Sequence, residues 1–318
     1  MTSPSDPIVL VGLPGAGKTT FLAALWYALN HSTDGGISLN ALPEDQAYLN
    51  EISRTWRQGE PQPHTATAVF QEIRLCVRYD GADVPGELVL PDLSGECFQQ
   101  DQWADRHWNQ KYDSIARAAS GVVLLVHPDA WKGSPRIADV ARAEQLIEGS
   151  VAESQGEHVA SGGAGRAGAD ESDQVEANVV DFDPLRVPAQ VILVDLLQFL
   201  IGDPCFHTAL RVSVVISAWD LLESRGRTPS VCLEKEMPLL HQFLTSNADR
   251  ISCQVFGVSA QGGPYEDPRV RQNLLQMDNP IERIQVRDAD GNTSDITAPI
   301  LWQVRDRVVE ERECRGIS

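Results

Sequence analysis

The sequence predicts a three-layer α/β domain, a mostly parallel sheet with helices on both faces. Three observations predict it. A short apolar run at 8–11 passes through a glycine-rich loop into an apolar helical stretch at 20–30. The run at 121–126 is unbroken in hydrophobicity and that at 212–216 is apolar apart from Ser213, as strands buried on both faces are. Strands and helices alternate almost throughout, and such alternation builds a parallel sheet through helical crossovers.

The elements follow in order. Residues 43–57 form a polar amphipathic stretch, read as a helix, which Gly59-Glu-Pro-Gln-Pro63 ends. Residues 69–79 alternate apolar and polar, as a half-exposed strand does. Asp80-Gly81 is a hairpin-type turn, in a loop that reaches as far as Pro85-Gly86. The return strand, 88–90, ends at Asp92-Leu-Ser-Gly95. Residues 102–120 read as a helix carrying Trp103 and Trp108, and a further helix follows Pro188 to about 201. A helix at 237–247, a core strand at 253–258, a two-strand excursion at 279–297 around Asp290-Gly291 and a helix at 300–314 complete the chain. Residues 1–318 thus read as one domain.

One stretch departs from this pattern. Residues 150–183 hold eight acidic residues against one basic residue, plus the run Ser161-Gly-Gly-Ala-Gly-Arg-Ala-Gly168. Their apolar content is too small to offset ordering entropy, so they read as a disordered acidic insertion, either a tolerated surface loop or a regulated tether.

Composition excludes several classes. The net charge of −19 repels phosphate backbones and anionic lipid, which argues against nucleic acid or a membrane surface as partner. No apolar run approaches the span of a bilayer, and the first residues carry no basic, cleavable leader, so a cytoplasmic protein is expected. Cys76, Cys97, Cys205, Cys232, Cys253 and Cys314 form no Cys-x-x-Cys pair and read as reduced thiols, neither a disulfide framework nor a zinc site.

Gly12-Leu-Pro-Gly-Ala-Gly-Lys-Thr19 matches the Walker A pattern in full, between an apolar strand and an apolar helix. Glycines let backbone N–H groups turn inward toward a phosphate, where a Cβ would obstruct them. Lys18 supplies a point charge to β- and γ-phosphate oxygens. The hydroxyl of Thr19 is a candidate Mg²⁺ ligand, and the helix that follows points its positive end at the anion. Gly12, Gly15, Ala16, Gly17, Lys18, Thr19 and Thr20 are therefore the candidate cradle for a nucleoside triphosphate.

Three further segments lie at the carboxyl ends of predicted strands, where open α/β sheets bind ligands. Asp92 is placed to hold Mg²⁺ through water, and Gly95 to offer its N–H to a γ-phosphate. In Ser217-Ala-Trp-Asp220, the Asp220 carboxylate can accept from both N1–H and N2–H of guanine, a pair that adenine lacks. An aspartate there equally serves as a helix cap. In Ser259-Ala260, a backbone N–H can meet guanine O6.

Taken in order, these pieces resemble the G1, G3, G4 and G5 motifs of the translation-factor-related (TRAFAC) class of P-loop GTPases, and more narrowly the bacterial double-GTPase domains of conflict and antiviral defence systems. The narrower likeness uses Trp56, Gly59, Pro63-His-Thr65, the excursion before the last helix and Pro299-Ile-Leu-Trp302. The resemblance implies a Ras-like G domain, GTP or GDP with Mg²⁺, hydrolysis of GTP, and a protein partner or effector read through the switch loops. It implies that Thr65 is the switch threonine that closes on Mg²⁺, with Thr67 fitting the same role. Thr19, Thr65 and Asp92 would be the metal ligands, and Lys18, Thr65, Gly95 and Glu96 the catalytic set.

The departures are specific. Ala218 stands where the family carries a lysine whose stem covers the base, and Trp219 either stacks nearby or belongs to the core. Glu96 stands where many small GTPases carry glutamine, which implies slow or partner-assisted turnover, or a scaffold that holds nucleotide without turning it over. No arginine is placed as a built-in finger: Arg57, Arg106 and Arg117 read as solvated, His64 is assigned no chemistry, and His107, Trp103, Trp108 and Tyr112 read either as core packing or as a face that a partner reads. The same loop serves ATP-using P-loop kinases, but no arginine-bearing lid or acceptor site stands out.

Overall fold

A computed structural model describes residues 7–31, 36–62, 71–80, 85–92, 103–105, 110, 114, 119–131, 187–202, 210–289 and 291–304. The expected insertion at 150–183, most of the expected helix at 102–120 and the end of the 300–314 helix lie outside them.

Among the described residues, nine strands form one sheet in the order β2-β3-β4-β1-β5-β6-β7-β8-β9. They are β1 (Ile8–Gly12), β2 (Ile37–Leu39), β3 (Gln71–Tyr79), β4 (Gly86–Asp92), β5 (Gly121–Val126), β6 (Leu210–Ser217), β7 (Ile251–Ser259), β8 (Gln285–Arg287) and β9 (Asn292–Thr293). The central strands β4, β1, β5, β6 and β7 are mutually parallel. Antiparallel pairs flank them, β2 with β3 and β3 with β4 at one edge, β7 with β8 and β8 with β9 at the other. The sheet is mostly parallel, as the alternation predicts. Strand order reverses at β1, which lies between β4 and β5, and a switch point of this kind opens a crevice at the carboxyl ends of the strands.

Period-two alternation sorts the core into two layers. Ile8 and Leu10 of β1 face one layer with Val123 and Leu125 of β5. Helix α1 (Lys18–His31) and helix α2 (Gln46–Arg57) cover that face. Val9 and Val11, with Val122 and Leu124, face the other, which is covered by α3 (Ala189–Gly202), α4 (Pro229–Glu236) and α5 (Pro238–Ser246). These are the three layers expected of a P-loop NTPase fold. No helix among the described residues is long and apolar enough to cross a membrane.

Local chemistry explains the helices. In α1, every residue from Phe21 to Leu29 is buried, so that helix is apolar all round. In α2, Leu49, Ile52, Ser53 and Trp56 are buried at helical spacing on an otherwise polar helix. Two short helices escaped the sequence reading. Helix α4 starts at Pro229 behind Thr228, whose hydroxyl accepts from the Val231 N–H. Helix α6 (Pro268–Leu275) starts behind Asp267, which accepts from the Arg269 and Val270 N–H groups. The edge strand β2 was also missed, because three residues are too few for a periodic signal.

A helical segment over 298–304 is fixed beneath the sheet by buried polar bonds. Gln303 Nε2 donates to Val122 O at 2.7 Å and to Ser213 Oγ at 3.1 Å, and Ser213 Oγ donates to Pro299 O at 2.6 Å. Gln303→Leu keeps the volume but leaves buried acceptors without their donor. Its expected cost is about 1–3 kcal/mol, read as a lower urea midpoint; an unchanged midpoint would show that the network carries no stability.

Candidate nucleotide site at the strand ends

Strand β1 ends in the glycine loop. Ala16 N–H donates to Leu13 O at 3.1 Å, which closes a turn, and Gly15 and Gly17 have φ of +70° and +85°. Side chains resist that left-handed region, so the glycines permit the turn. The first helical bond of α1 runs from Phe21 N–H to Gly17 O at 2.9 Å. The N–H groups of Lys18, Thr19 and Thr20 therefore stand ahead of the intrahelical ladder at the positive end of α1. The first turn of α1 holds no acidic residue to compete for an anion. Lys18 Nζ arches back over the loop and donates to Gly12 O at 2.7 Å and Leu13 O at 3.2 Å.

The second and third loops meet this one. A Cβ built on Gly17 would lie 3.4 Å from Ser217 Cβ and Oγ, so the end of the glycine loop lies beside the end of β6. Ser217 is buried, and its hydroxyl donates to Val126 O at 3.4 Å, which ties β6 to the end of β5. Asp220 lies three residues on, half-buried, and accepts from Ser259 Oγ at 2.5 Å. Ser259 is fully buried at the end of β7, and the same oxygen accepts from Gly262 N–H at 3.0 Å. One hydroxyl thus fixes both the carboxylate and the loop that follows Ala260.

Trp219 is core. It is 2% exposed, and its ring lies against Gly257 of β7, where an added Cβ would sit 2.3 Å from the ring. Of the two readings open in the sequence, stacking near a base gives way to packing under the sheet end. Ala218 adopts the left-handed region at φ 47°, the one described non-glycine residue to do so. Its turn sends Trp219 inward, next to the half-buried Asp220.

The described residues bring together Gly12, Gly15, Ala16, Gly17, Lys18, Thr19, Thr20, Ser217, Asp220, Ser259 and Ala260. Asp92 is the last residue of β4, and it lies as far past Val89 as Gly12 lies past Val9, the partner of Val89 in β1. Its backbone therefore ends level with the start of the glycine loop. Thr65, Thr67, Gly95 and Glu96 lie outside the described residues, as do His64, Arg106, His107, Trp108, Tyr112 and Arg117. Arg57 is exposed, its guanidinium 5.6 Å from the centre of the Tyr27 ring, so it sits beside α1 and not on the loop. Among the described residues no cluster of His, Cys, Asp and Glu could hold a metal without help from a ligand, and Cys76, Cys232 and Cys253 are free thiols. A cavity of about 490 Å³ flanks the loop, lined by residues 13–16, 125–127, 129, 130 and 193.

Sequence reasoning missed the link between Ser259 and Asp220 and the part played by Trp56. This tryptophan is fully buried in the last turn of α2, and its Nε1 donates to Ala260 O at 2.9 Å across 204 residues of sequence. No local signal announces so distant a partner.

A family model described as Double-GTPase 1 matches residues 9–303. No curated protein matches the chain. Among solved structures, the chain is similar to the signal recognition particle receptor SRb-GTP/SRX complex from Chaetomium thermophilum, with 16% identity, a TM-score of 0.37, and cover of 85% of this chain and 97% of that one. It is similar to the S. cerevisiae Ski7 GTPase-like domain bound to GTP, with 12% identity, a TM-score of 0.41, and cover of 81% of this chain and 43% of that one. For the same domain bound to GDP and inorganic phosphate, the values are 12%, 0.40, 87% and 51%. The chain thus spans about half the length of the Ski7 chains it matches.

Ser259→Ala removes the donor to Asp220 and the acceptor of Gly262 N–H together. The expected loss of stability is about 1–3 kcal/mol by urea unfolding; a variant as stable as the wild type would contradict the link.

Proposed function

This chain belongs to the Double-GTPase 1 family, and from that premise we propose that it is a GTP-binding molecular switch, hydrolysing GTP to GDP and phosphate slowly or with a partner's help. One observation carries the reading. The loops that end β1, β6 and β7 converge, with Gly17 against Ser217 and Asp220 bonded to Ser259. A phosphate cradle and a guanine-reading carboxylate then lie in line along the sheet edge.

In this reading the N–H groups at the start of α1 and the Lys18 ammonium hold the β- and γ-phosphates. Asp220 accepts from N1–H and N2–H of guanine, and the Ala260 backbone N–H meets O6. Ser217 lines the passage between phosphate and base. The residues fit Mg²⁺: Thr19 stands in the first turn of α1, Asp92 ends its strand level with the loop, and Thr65 would close from the switch segment. The ion would supply charge neutralisation of the β- and γ-oxygens. Gly95 would donate to the γ-phosphate, and Glu96 would accept a proton from the attacking water as its oxygen bonds to phosphorus and the β–γ bridging oxygen leaves. A carboxylate in that place also repels the γ-phosphate, and this supports slow turnover. GTP would order the loops around Thr65 and 92–99, and hydrolysis would release them to be read by a protein partner.

Ala218 and Glu96 favour a second reading, a scaffold that holds nucleotide without turnover. The likeness to double-GTPase domains of defence systems supports a place in a bacterial conflict system, and a net charge of −19 supports a protein partner over nucleic acid or membrane.

Lys18→Ala is expected to abolish triphosphate binding. Asp220→Asn is expected to weaken GTP about 10–100-fold without creating tight ATP binding, measured by displacement of a fluorescent nucleotide with Mg²⁺ present. Equal affinity of the wild type for GTP and ATP would remove the guanine part. Phosphate release at about 10⁻² s⁻¹ or slower is expected of a switch, and none at all, with or without partner, selects the scaffold.

A further inference from the structure

The end of helix α2 is fastened to the base-reading loop from two sides. Trp56 is fully buried, and its Nε1 donates to Ala260 O at 2.9 Å. Arg283, itself 3% exposed, donates from a terminal guanidinium nitrogen to Arg57 O at 3.0 Å, with its guanidinium 5.8 Å from the centre of the Trp56 ring. Arg271 donates from Nε to Gly59 O at 2.8 Å and from a terminal nitrogen to Gln58 O at 3.2 Å. Carbonyls that end a helix have no intrahelical donor and carry its negative pole, so two arginines are well matched to them. Both arginines come from the segment that follows Ala260. The contacts therefore close a ring: α2, the indole, Ala260, then the chain through Arg271 and Arg283 back to α2.

Ala260 has two tethers of different kinds. Ser259 before it is held to Asp220, and its own carbonyl is held by the indole. Without Trp56, that buried carbonyl loses its donor and the residue loses its fixed orientation. A loop that must present one N–H to one base atom depends on such fixing, because misplacement removes the bond while leaving the rest of the site intact.

We propose that Trp56 is the positioning residue for base selection: its indole N–H sets the Ala260 backbone that reads the O6 edge of guanine, so a residue of helix α2 decides how strongly a 6-oxo purine is preferred. This rests on the guanine reading above.

The test uses the full chain and four diphosphates: GDP, inosine diphosphate, 2-aminopurine riboside diphosphate and ADP. The first two carry O6 and the last two do not. In Trp56→Phe, affinity for GDP and inosine diphosphate is expected to fall about tenfold, while 2-aminopurine riboside diphosphate and ADP are unchanged. A merely structural role would weaken all four alike. Arg271→Gln, at a half-buried site, should fold where Trp56→Phe does not, and it should reduce the same ratio about threefold. Equal loss for all four nucleotides, or an unchanged ratio in the folded variants, overturns the proposal. A wild type with no preference for GDP over ADP overturns the guanine reading as well, so the two failures are told apart.

Discussion

The fold depends on where β1 sits. It is fully buried and pairs in parallel with β4 on one side and β5 on the other, so the chain leaves β1 toward the β2–β4 side and then crosses back from β4 to β5 on the opposite side. That reversal leaves the carboxyl end of β1 uncovered, and the glycine loop and the start of α1 fill it. The positive end of α1, the close contact of Gly17 with Ser217 and the run of β6 and β7 alongside all follow from that arrangement. A one-residue slip of β1 would exchange Ile8 and Leu10 with Val9 and Val11 between the two core layers, so its register is strongly held.

The acidity of the chain gives this geometry its meaning. At −19 the overall field opposes an anionic ligand, and attraction must come from groups within a few ångströms. The loop supplies these as backbone N–H groups, one lysine and a helix terminus without acidic neighbours. At the far end of the same edge, Ser259 turns a flexible carboxylate into a fixed acceptor.

Much of this was legible in the sequence, for identifiable reasons. The glycine loop was readable because its residues serve one another within eight positions. Strand β5 was readable because burial on both faces leaves no polar position, and β6 because its run at 212–216 is apolar apart from Ser213. Asp220 was readable only as an ambiguity between base reader and helix cap. The fate of Trp219 was not readable, since an indole after a strand packs inward or outward according to whether a glycine faces it, and Gly257 belongs to another strand. Trp56 lay on the buried face of a predicted helix, yet its partner is 204 residues away and is a backbone oxygen, to which no side-chain pattern points. Helices α4 and α6 left their signals in Thr228-Pro229 and Asp267-Pro268, but eight-residue helices are too short for periodicity to mark them. Membership of the Double-GTPase 1 family agrees with the order of the motifs at the strand ends.

The most direct measurement is a crystal structure of the chain with Mg²⁺ and a non-hydrolysable GTP analogue. The account predicts phosphates within hydrogen-bond distance of the N–H groups of residues 15–19 and of Lys18 Nζ, with the guanine edge on Asp220 and on the Ala260 N–H. A nucleotide bound elsewhere, or a base that does not touch Asp220, would contradict it.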